Sequence, residues 1–148
     1  MASSNEEEFR RLNMEMRFLE QTAETLQSRM NMINAAATDL KYAQTTLEGL
    51  DTVSEKSELL VPVGGTSYIR AKLDNPDQVI VGMGAGVSVE KTRQEAKEII
   101  KKRLEDLDKA RASVQQQFTQ VAQKINEDRT KAEALVAAAR EGKTQPDV

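Results

Sequence analysis

Two long stretches of the chain, residues 5–48 and 93–141, contain neither glycine nor proline. Inside a helix, glycine costs about 1 kcal/mol and proline about 3 kcal/mol relative to alanine, so helix interiors exclude both residues. Every glycine and proline lies between the two stretches or after the second one. The distribution therefore predicts two long helices separated by a short segment of different structure.

The first stretch carries a heptad repeat of apolar residues. Eleven of its twelve a and d sites are apolar, and Gln44 is the exception. The sites are Phe9, Leu12, Met16, Leu19, Ala23, Leu26, Met30, Ile33, Ala37, Leu40, Gln44 and Leu47. Alternating spacings of three and four over six heptads predict a coiled-coil helix over residues 5–48. Ser4 with Glu7 predicts a capping box at its start, and Gly49 predicts its end.

The second stretch repeats the pattern with two polar interruptions. Its a sites are Leu104, Arg111, Phe118, Ile125, Ala132 and Ala139, and its d sites are Ile100, Leu107, Val114, Val121, Asp128 and Leu135. Ten of these twelve are apolar, and Arg111 and Asp128 are the other two. We expect both side chains to reach water, because a two-stranded coiled coil is thin, and to serve register or solubility. The two helices are expected to pair antiparallel, with both chain ends at one tip. The heptads allow two registers between the helices. One places Leu26 opposite Phe118, and the other shifts the second helix by one heptad.

Capping signals bound the second helix. Thr92 with Glu95 predicts a capping box at the start of a helix over residues 93–141. Gly142 predicts its end, and residues 142–148 are expected to be a disordered tail. The whole chain, residues 1–148, is expected to form a single domain.

The middle segment, residues 58–91, changes its apolar period from about 3.5 to 2, which is typical of strands. Glycine or Asp-Asn-Pro turns at residues 64–66, 74–77 and 84–86 divide it into four short strands. Glycine supplies the positive φ that tight hairpins need. The predicted order is therefore helix, hairpin, hairpin, helix.

Two hairpins alone are only marginally stable, and the apolar seam of the coiled coil is already used by its own pairing. The strands are therefore expected to find other strands in other subunits and to close a barrel, which removes exposed edges. The residues expected to mediate this assembly are Leu59, Val61, Val63, Ile69, Leu73, Val79, Val81, Val87 and Val89. The expected fold is α+β and predominantly α, a long antiparallel coiled-coil hairpin with two central β-hairpins that join an intersubunit β-barrel.

Composition excludes most kinds of active site. The chain has no Cys and no His, which removes thiol nucleophiles, imidazole bases and common zinc ligands. Its net charge is −3 and only 3% of its residues are aromatic, which disfavours nucleic-acid binding. The Gly82-Met-Gly84-Ala-Gly86 run has the wrong spacing and context for a dinucleotide loop. We expect no enzyme activity, no cofactor, no nucleic-acid partner and no membrane partner, and a cytoplasmic location.

Several apolar residues near the predicted tip lie off the seam. Met14, Phe18 and Val136 are near Phe9, Leu12 and Leu135, where the seam ends. Single exposed apolar residues are common on protein surfaces. A cluster that includes methionine is also typical of adaptable binding surfaces. The sequence favours neither interpretation over the other.

The strand region resembles a known family. The runs LLVPVGGTSYIRAKL at residues 59–73 and VIVGMGAGVSVEKT at residues 79–92 are similar to α-type subunits of the prefoldin family. The flanking coiled-coil helices match as well, so the resemblance covers nearly the whole chain.

The resemblance implies a hexamer of two α and four β-type prefoldin subunits with a double β-barrel body. It also implies an ATP-independent holdase whose coiled-coil tips hold unfolded client polypeptides and deliver them to a group II chaperonin. The residues at this chain's tip that match that role are Phe9, Leu12, Met14, Phe18, Leu135 and Val136. The alternative is a passive coiled-coil scaffold or spacer subunit, which is expected to have polar tips.

Overall fold

The computed structural model describes residues 3–144, which form two long helices and two β-hairpins. In chain order the elements are α1 (Ser4–Gly49), a 3-10 helix (Leu50–Thr52), β1 (Glu58–Gly64), β2 (Ser67–Lys72), β3 (Gln78–Gly84), β4 (Val87–Thr92) and α2 (Arg93–Thr144). The predominantly helical α+β fold expected from the sequence is thereby confirmed. Within this chain each hairpin is a separate two-stranded sheet.

The chain divides into two compact units. Unit 1 contains the residues up to Asn34 together with those from Lys109 onward, and unit 2 is Ala35–Asp108. Unit 1 is coiled coil only, whereas unit 2 contains the hairpins and the adjoining helix segments. The single domain expected from the sequence stays a prediction.

The seam of unit 1 follows the heptads. Its buried apolar residues all occupy a or d sites, and they are Leu12, Leu26, Val114 and Ala132. Phe9 lines a cleft with Leu135 and Val136. If Leu26 faces Phe118, antiparallel pairing places Phe9 opposite Leu135, whereas a shift by one heptad moves them apart. The cleft therefore favours the first register.

The caps and the last residues of the two helices differ in detail from those predicted from the sequence. At α2, the Glu95 backbone N–H donates to Thr92 Oγ at 3.1 Å, as the predicted capping box requires. At α1 the cap is Ser3 rather than Ser4, because the Glu6 N–H donates to Ser3 Oγ at 3.3 Å. α2 continues through Gly142 to Thr144, since one glycine weakens a helix only modestly. Of the expected tail, residues 145–148 lie outside the described residues.

The core of unit 2 joins the helices to the second hairpin. Its buried residues are Leu47, Val81, Ala96 and Ile100, with Val79 among those packed against them. The expectation that the coiled coil could not cover the strands is therefore wrong for β3. The small Ala96 side chain, 1% exposed, lets the strand approach α2 closely enough to bury Val81.

Both hairpins are antiparallel and close through similar turns. Val61 pairs with Ile69 in the first, and Val81 pairs with Val89 in the second. Gly65 and Thr66 both have positive φ, at 55° and 58°. Two successive positive φ values are the mark of a type I′ turn, whose twist matches that of the strands it joins.

Candidate functional site

Two adjoining clefts lie in unit 1, where α1 begins and α2 ends. One has a volume of about 520 Å³ and the other about 380 Å³. Phe9 and Val136 line both clefts, and Leu135 lines the second. The set of Phe9, Leu135 and Val136 is called the cleft residues below.

The clefts follow from the residues at the last heptad sites. Phe9 is large, whereas the a sites near it on α2 are alanines, Ala132 and Ala139. Alanine fills little of the space that a leucine or isoleucine would occupy, so the pair of helices is left incompletely packed there. Phe9 is 36% exposed as a result. The end of the coiled coil thus presents accessible apolar surface.

Leu12 does not contribute to that surface. It is 1% exposed, so the expectation that it would be partly accessible at the tip is wrong. The residue lies two turns inside α1, where the partner helix already covers a d site. We therefore remove Leu12 from the candidate binding residues.

Met14 and Phe18 lie on a different face from the clefts. They are 73% and 68% exposed, and neither lines a cleft. Their spacing of four residues places them side by side on the outer surface of α1. The predicted tip set therefore consists of two surfaces, the cleft residues and this outer-face pair.

Charged residues that the sequence patterns did not single out border the clefts. Arg129, Glu133 and Arg140 line the larger cleft, and Glu6 and Arg10 line the smaller one. All five fall on exposed helix positions, where charge is common, so heptad reasoning offers no signal that separates them from other surface charges.

Asp128 forms a buried polar layer in the seam of unit 1. It is 0% exposed, so the expectation that it reaches water is wrong. Lys124 Nζ donates to Asp128 Oδ1 at 2.9 Å and pairs with Glu15 of α1 at 3.4 Å. The hydrogen bond to Asp128 raises the pKa of the Lys124 ammonium above its ordinary value. Asp128 Oδ2 has no hydrogen-bond partner among the described residues.

Replacing Asp128 with leucine is expected to stabilise the chain by about 1–2 kcal/mol, because a buried carboxylate with one unsatisfied oxygen is exchanged for an apolar seam residue. Lys124 is 40% exposed and can be solvated by water once its partner is gone. Thermal unfolding followed by circular dichroism measures the change. Glu127→Leu, at the exposed neighbouring position, is the matched control. A lower midpoint for Asp128→Leu would mean that the ion pair outweighs the cost of burial.

The first hairpin exposes apolar side chains on both of its faces. Leu60 and Tyr68 are exposed on one face, Ile69 is exposed on the other, and Val63 is exposed where the register of the ladder shifts. No residue of β1 or β2 belongs to the core cluster of unit 2. Leu59, Val87 and Val89 of the predicted assembly set are also exposed, while Val61, Leu73 and Val79 are half-buried.

The second hairpin is fixed to the helices of its own chain. Arg103 Nη2 donates to the Gly82 carbonyl oxygen at 2.7 Å. Arg93 donates to the Leu50 carbonyl oxygen at 2.7 Å and pairs with Asp77 at 3.5 Å. These contacts join residues far apart in the sequence, and neither arginine stood out in the sequence analysis.

Asp51 links the end of α1 to the start of α2. Lys97 Nζ donates to Asp51 Oδ1 at 2.6 Å, and Arg93 pairs with the same carboxylate at 3.0 Å. The hydrogen bond from Lys97 holds the pKa of the Asp51 carboxyl below its ordinary value. Any stability from this link is therefore present above the ordinary aspartate pKa and is lost as the pH falls through the lowered value.

Val81 is not an assembly residue on this geometry. It is 7% exposed and packs in the core of its own chain, which corrects its inclusion in the predicted set. Its neighbour Ile80 points to the opposite face of β3 and is 78% exposed. Ile80 is therefore a better candidate than Val81 for contact with another subunit.

Residues 3–144 contain neither a metal-binding cluster nor a membrane-spanning helix. No group of three or more acidic, histidine or cysteine residues in this range is placed to hold a metal ion. Within the same range, neither helix contains a segment long and apolar enough to cross a bilayer.

Comparisons with known proteins identify the family. Residues 19–138 match the family described as "Prefoldin subunit". A prefoldin subunit alpha of Methanosarcina barkeri is 36% identical over 91% of this chain and 96% of its own length. A prefoldin subunit alpha of Pyrococcus horikoshii is 30% identical over 90% of each chain.

The fold is shared with a solved structure. It is a chain from the cryo-EM structure of filamentous PFD from Methanocaldococcus jannaschii, with a TM-score of 0.69 and 27% identity. The match covers 78% of this chain and 95% of the other.

Proposed function

Because the chain belongs to the prefoldin family and matches its alpha subunits over most of its length, we propose that it is a subunit of an ATP-independent holdase that captures unfolded polypeptides. Capture takes place at the cleft residues Phe9, Leu135 and Val136, and the outer-face pair Met14 and Phe18 extends the surface. The coiled coil presents these residues, and the hairpins carry the contacts with other subunits.

The observation that supports this proposal most is the pair of clefts at the end of the coiled coil. A passive spacer needs a closed, polar end, because exposed apolar surface brings a risk of aggregation. This chain instead leaves Phe9 accessible beside two alanines at seam positions. An apolar side chain of a client fits such a cleft, and the loss of water-exposed surface favours its binding.

Each cleft is small, so a single contact with a client is weak. Several tips in one complex raise the effective concentration of the second and later contacts, and this gives a gain of about 100-fold or more without any new kind of contact. Binding through many weak apolar contacts also suits clients whose sequences are unrelated to one another. Assembly is thus part of the binding mechanism rather than a separate property.

The proposed complex contains two copies of this chain and four β-type subunits, and it transfers its clients to a group II chaperonin in the cytoplasm. The fold relative from Methanocaldococcus jannaschii is described as filamentous. Measurements of assembly should therefore distinguish a closed hexamer from an open filament.

We expect the complex to suppress aggregation of a chemically denatured client equally well with and without ATP. The sequence has no phosphate-binding loop, and the mechanism needs only apolar contact and multivalency. Light scattering of the diluted client, with the assembled complex at increasing ratios, measures the effect. A complex that protects the client only when ATP is added would contradict the proposal, as would one that gives no protection at any ratio.

A further inference from the structure

A layer of charged side chains crosses the seam of unit 1 one heptad from Leu135 and the clefts. The Asp128 layer is defined as Asp128, Lys124 and Glu15. Asp128 is fully buried, and Lys124 Nζ lies 2.9 Å from its Oδ1 atom and 3.4 Å from Glu15 Oε1 on α1. Because Lys124 is 40% exposed, the layer runs from the closed seam to the water at its rim and joins the two helices.

The Asp128 layer lowers the stability of the seam. One oxygen of the buried carboxylate has no hydrogen-bond partner among the described residues, so an apolar residue at this site is expected to be more stable. In coiled coils, a buried polar residue fixes the register of the helices and the number that pair, at a cost in stability. At the hairpin end the register is already held by Asp51, which joins the end of α1 to Lys97 and Arg93 of α2. The number of helices that pair is therefore the property left for the layer to control.

The tip, the end of unit 1 where α1 begins and α2 ends, carries more apolar surface than a two-stranded seam requires. Residues 134–139 are six apolar residues in succession, at seam and flanking positions alike. Phe9 and Val136 remain 36% and 37% exposed. A two-stranded coiled coil needs apolar residues only at a and d, whereas helices with a third apolar position in each heptad pack into larger bundles. The tips of two copies of this chain are thus able to pair side by side.

The charged border of the clefts does not prevent such pairing. Arg129, Glu133 and Arg140 line the larger cleft, and Glu6 and Arg10 line the smaller one. Because both signs are present, two copies related by a two-fold axis can place opposite charges against each other. Exposed charges of this kind contribute little to association in either direction.

We propose that the Asp128 layer keeps the tip two-stranded, so that the tips of two copies of this chain do not merge into one four-helix bundle. In such a bundle the second copy covers Lys124 and removes its ammonium group from water. Two Asp128 carboxylates then lie in one enclosed core, where each charge loses its hydration and the like charges repel. The inference rests on the proposed function in one respect, since merged tips would cover the clefts at which clients are captured.

The test compares contact between tips with client capture in the assembled complex. The chain has no cysteine, so Glu7→Cys, at an exposed position near the start of α1, carries one nitroxide spin label on each copy. With partner subunits free of cysteine, double electron–electron resonance measures the distance between the labels of two copies. Anisotropy of a labelled denatured protein measures client affinity. With Asp128 in place, we expect only long, broadly distributed distances.

Asp128→Leu is expected to produce a short distance between the labels and to weaken client capture. If about nine in ten tips are merged, the apparent affinity falls about tenfold, because only free tips bind clients. Since Asp128 is fully buried, the loss of a direct contact with the client does not explain such a change. Asp128→Asn keeps a polar group in the seam and should keep the tips apart. Arg111→Leu, the same kind of change at the other polar seam site of unit 1, is the control and should leave distance and affinity unchanged.

The outcomes separate this inference from the proposed function. Long distances in Asp128→Leu, or a short distance that also appears in Arg111→Leu, would overturn the inference. If the tips of Asp128→Leu merge but client affinity does not change, the layer acts as proposed and the clefts are not the capture site. If the distances stay long and affinity nonetheless falls, the inference fails and the proposed function stands.

Discussion

Replacing Ile69 and Ile80 with lysine is expected to abolish assembly and to leave the chain folded. Both side chains are exposed within the chain, on different hairpins, so the substitutions disturb little of its own packing. Burial of an isoleucine contributes about 1.5–3 kcal/mol, and loss of two such contacts weakens association by about 1,000-fold. Sedimentation velocity measures the oligomer, and circular dichroism measures retained helix.

Two controls make this prediction specific. Tyr42→Lys changes an exposed residue of α1 in the same unit as the hairpins, and it should leave assembly intact. Val81→Lys should instead unfold part of unit 2, because Val81 lies in the core of its own chain. A full-sized oligomer from the Ile69 and Ile80 variant would show that the hairpins do not carry assembly.

Replacing Phe9 and Val136 with serine is expected to weaken client capture by about 100-fold while assembly persists. The two side chains line both clefts, so their truncation removes the apolar surface from every tip that carries this subunit. Because the tips act together, a modest loss at each is multiplied in the complex. Anisotropy of a labelled denatured protein measures affinity, and sedimentation confirms that the oligomer survives.

The comparison variants locate the client surface. Met14→Ser with Phe18→Ser should give a smaller loss, because these residues extend the surface without lining a cleft. Met32→Ser, an equally exposed position of unit 1 outside both surfaces, should change nothing. If Phe9→Ser with Val136→Ser binds clients normally, the clefts are not the capture site and the proposed mechanism must be abandoned.

The sequence predicted the elements of this fold well because two periodicities mark them. Glycine and proline fall outside the long helices, heptads mark the seam, and alternation marks the strands. The predictions that failed concern how deeply a side chain is buried and which residues surround it. A periodic pattern specifies neither. Leu12 is covered because its partner helix extends past it, and Asp128 is enclosed by the residues around the seam.

The same limit applies to the candidate surfaces. The alternation in β3 placed Val79 and Val81 on one face and Ile80 on the other, but it did not tell which face meets the helices. That choice depends on Ala96 and Arg103, which are far from β3 in the sequence. The cleft residues were found because they lie where the heptads end, whereas the arginines around them resemble any other charges on a helix surface.

In the proposed complex, the first hairpin distinguishes a free copy of this chain, which exposes its apolar side chains to water, from an assembled copy, which buries them. Among the described residues, β1 and β2 add nothing to the core cluster of unit 2 and leave apolar side chains on both faces in water. Segments held only by their own ladder open locally at low cost, and proteases cut such open segments first. A surplus copy would then be degraded from this hairpin, and the copies that survive would be those already matched with partners. Because unmatched copies would have a shorter lifetime, their degradation would bring the ratio of the subunits to that of the complex after synthesis.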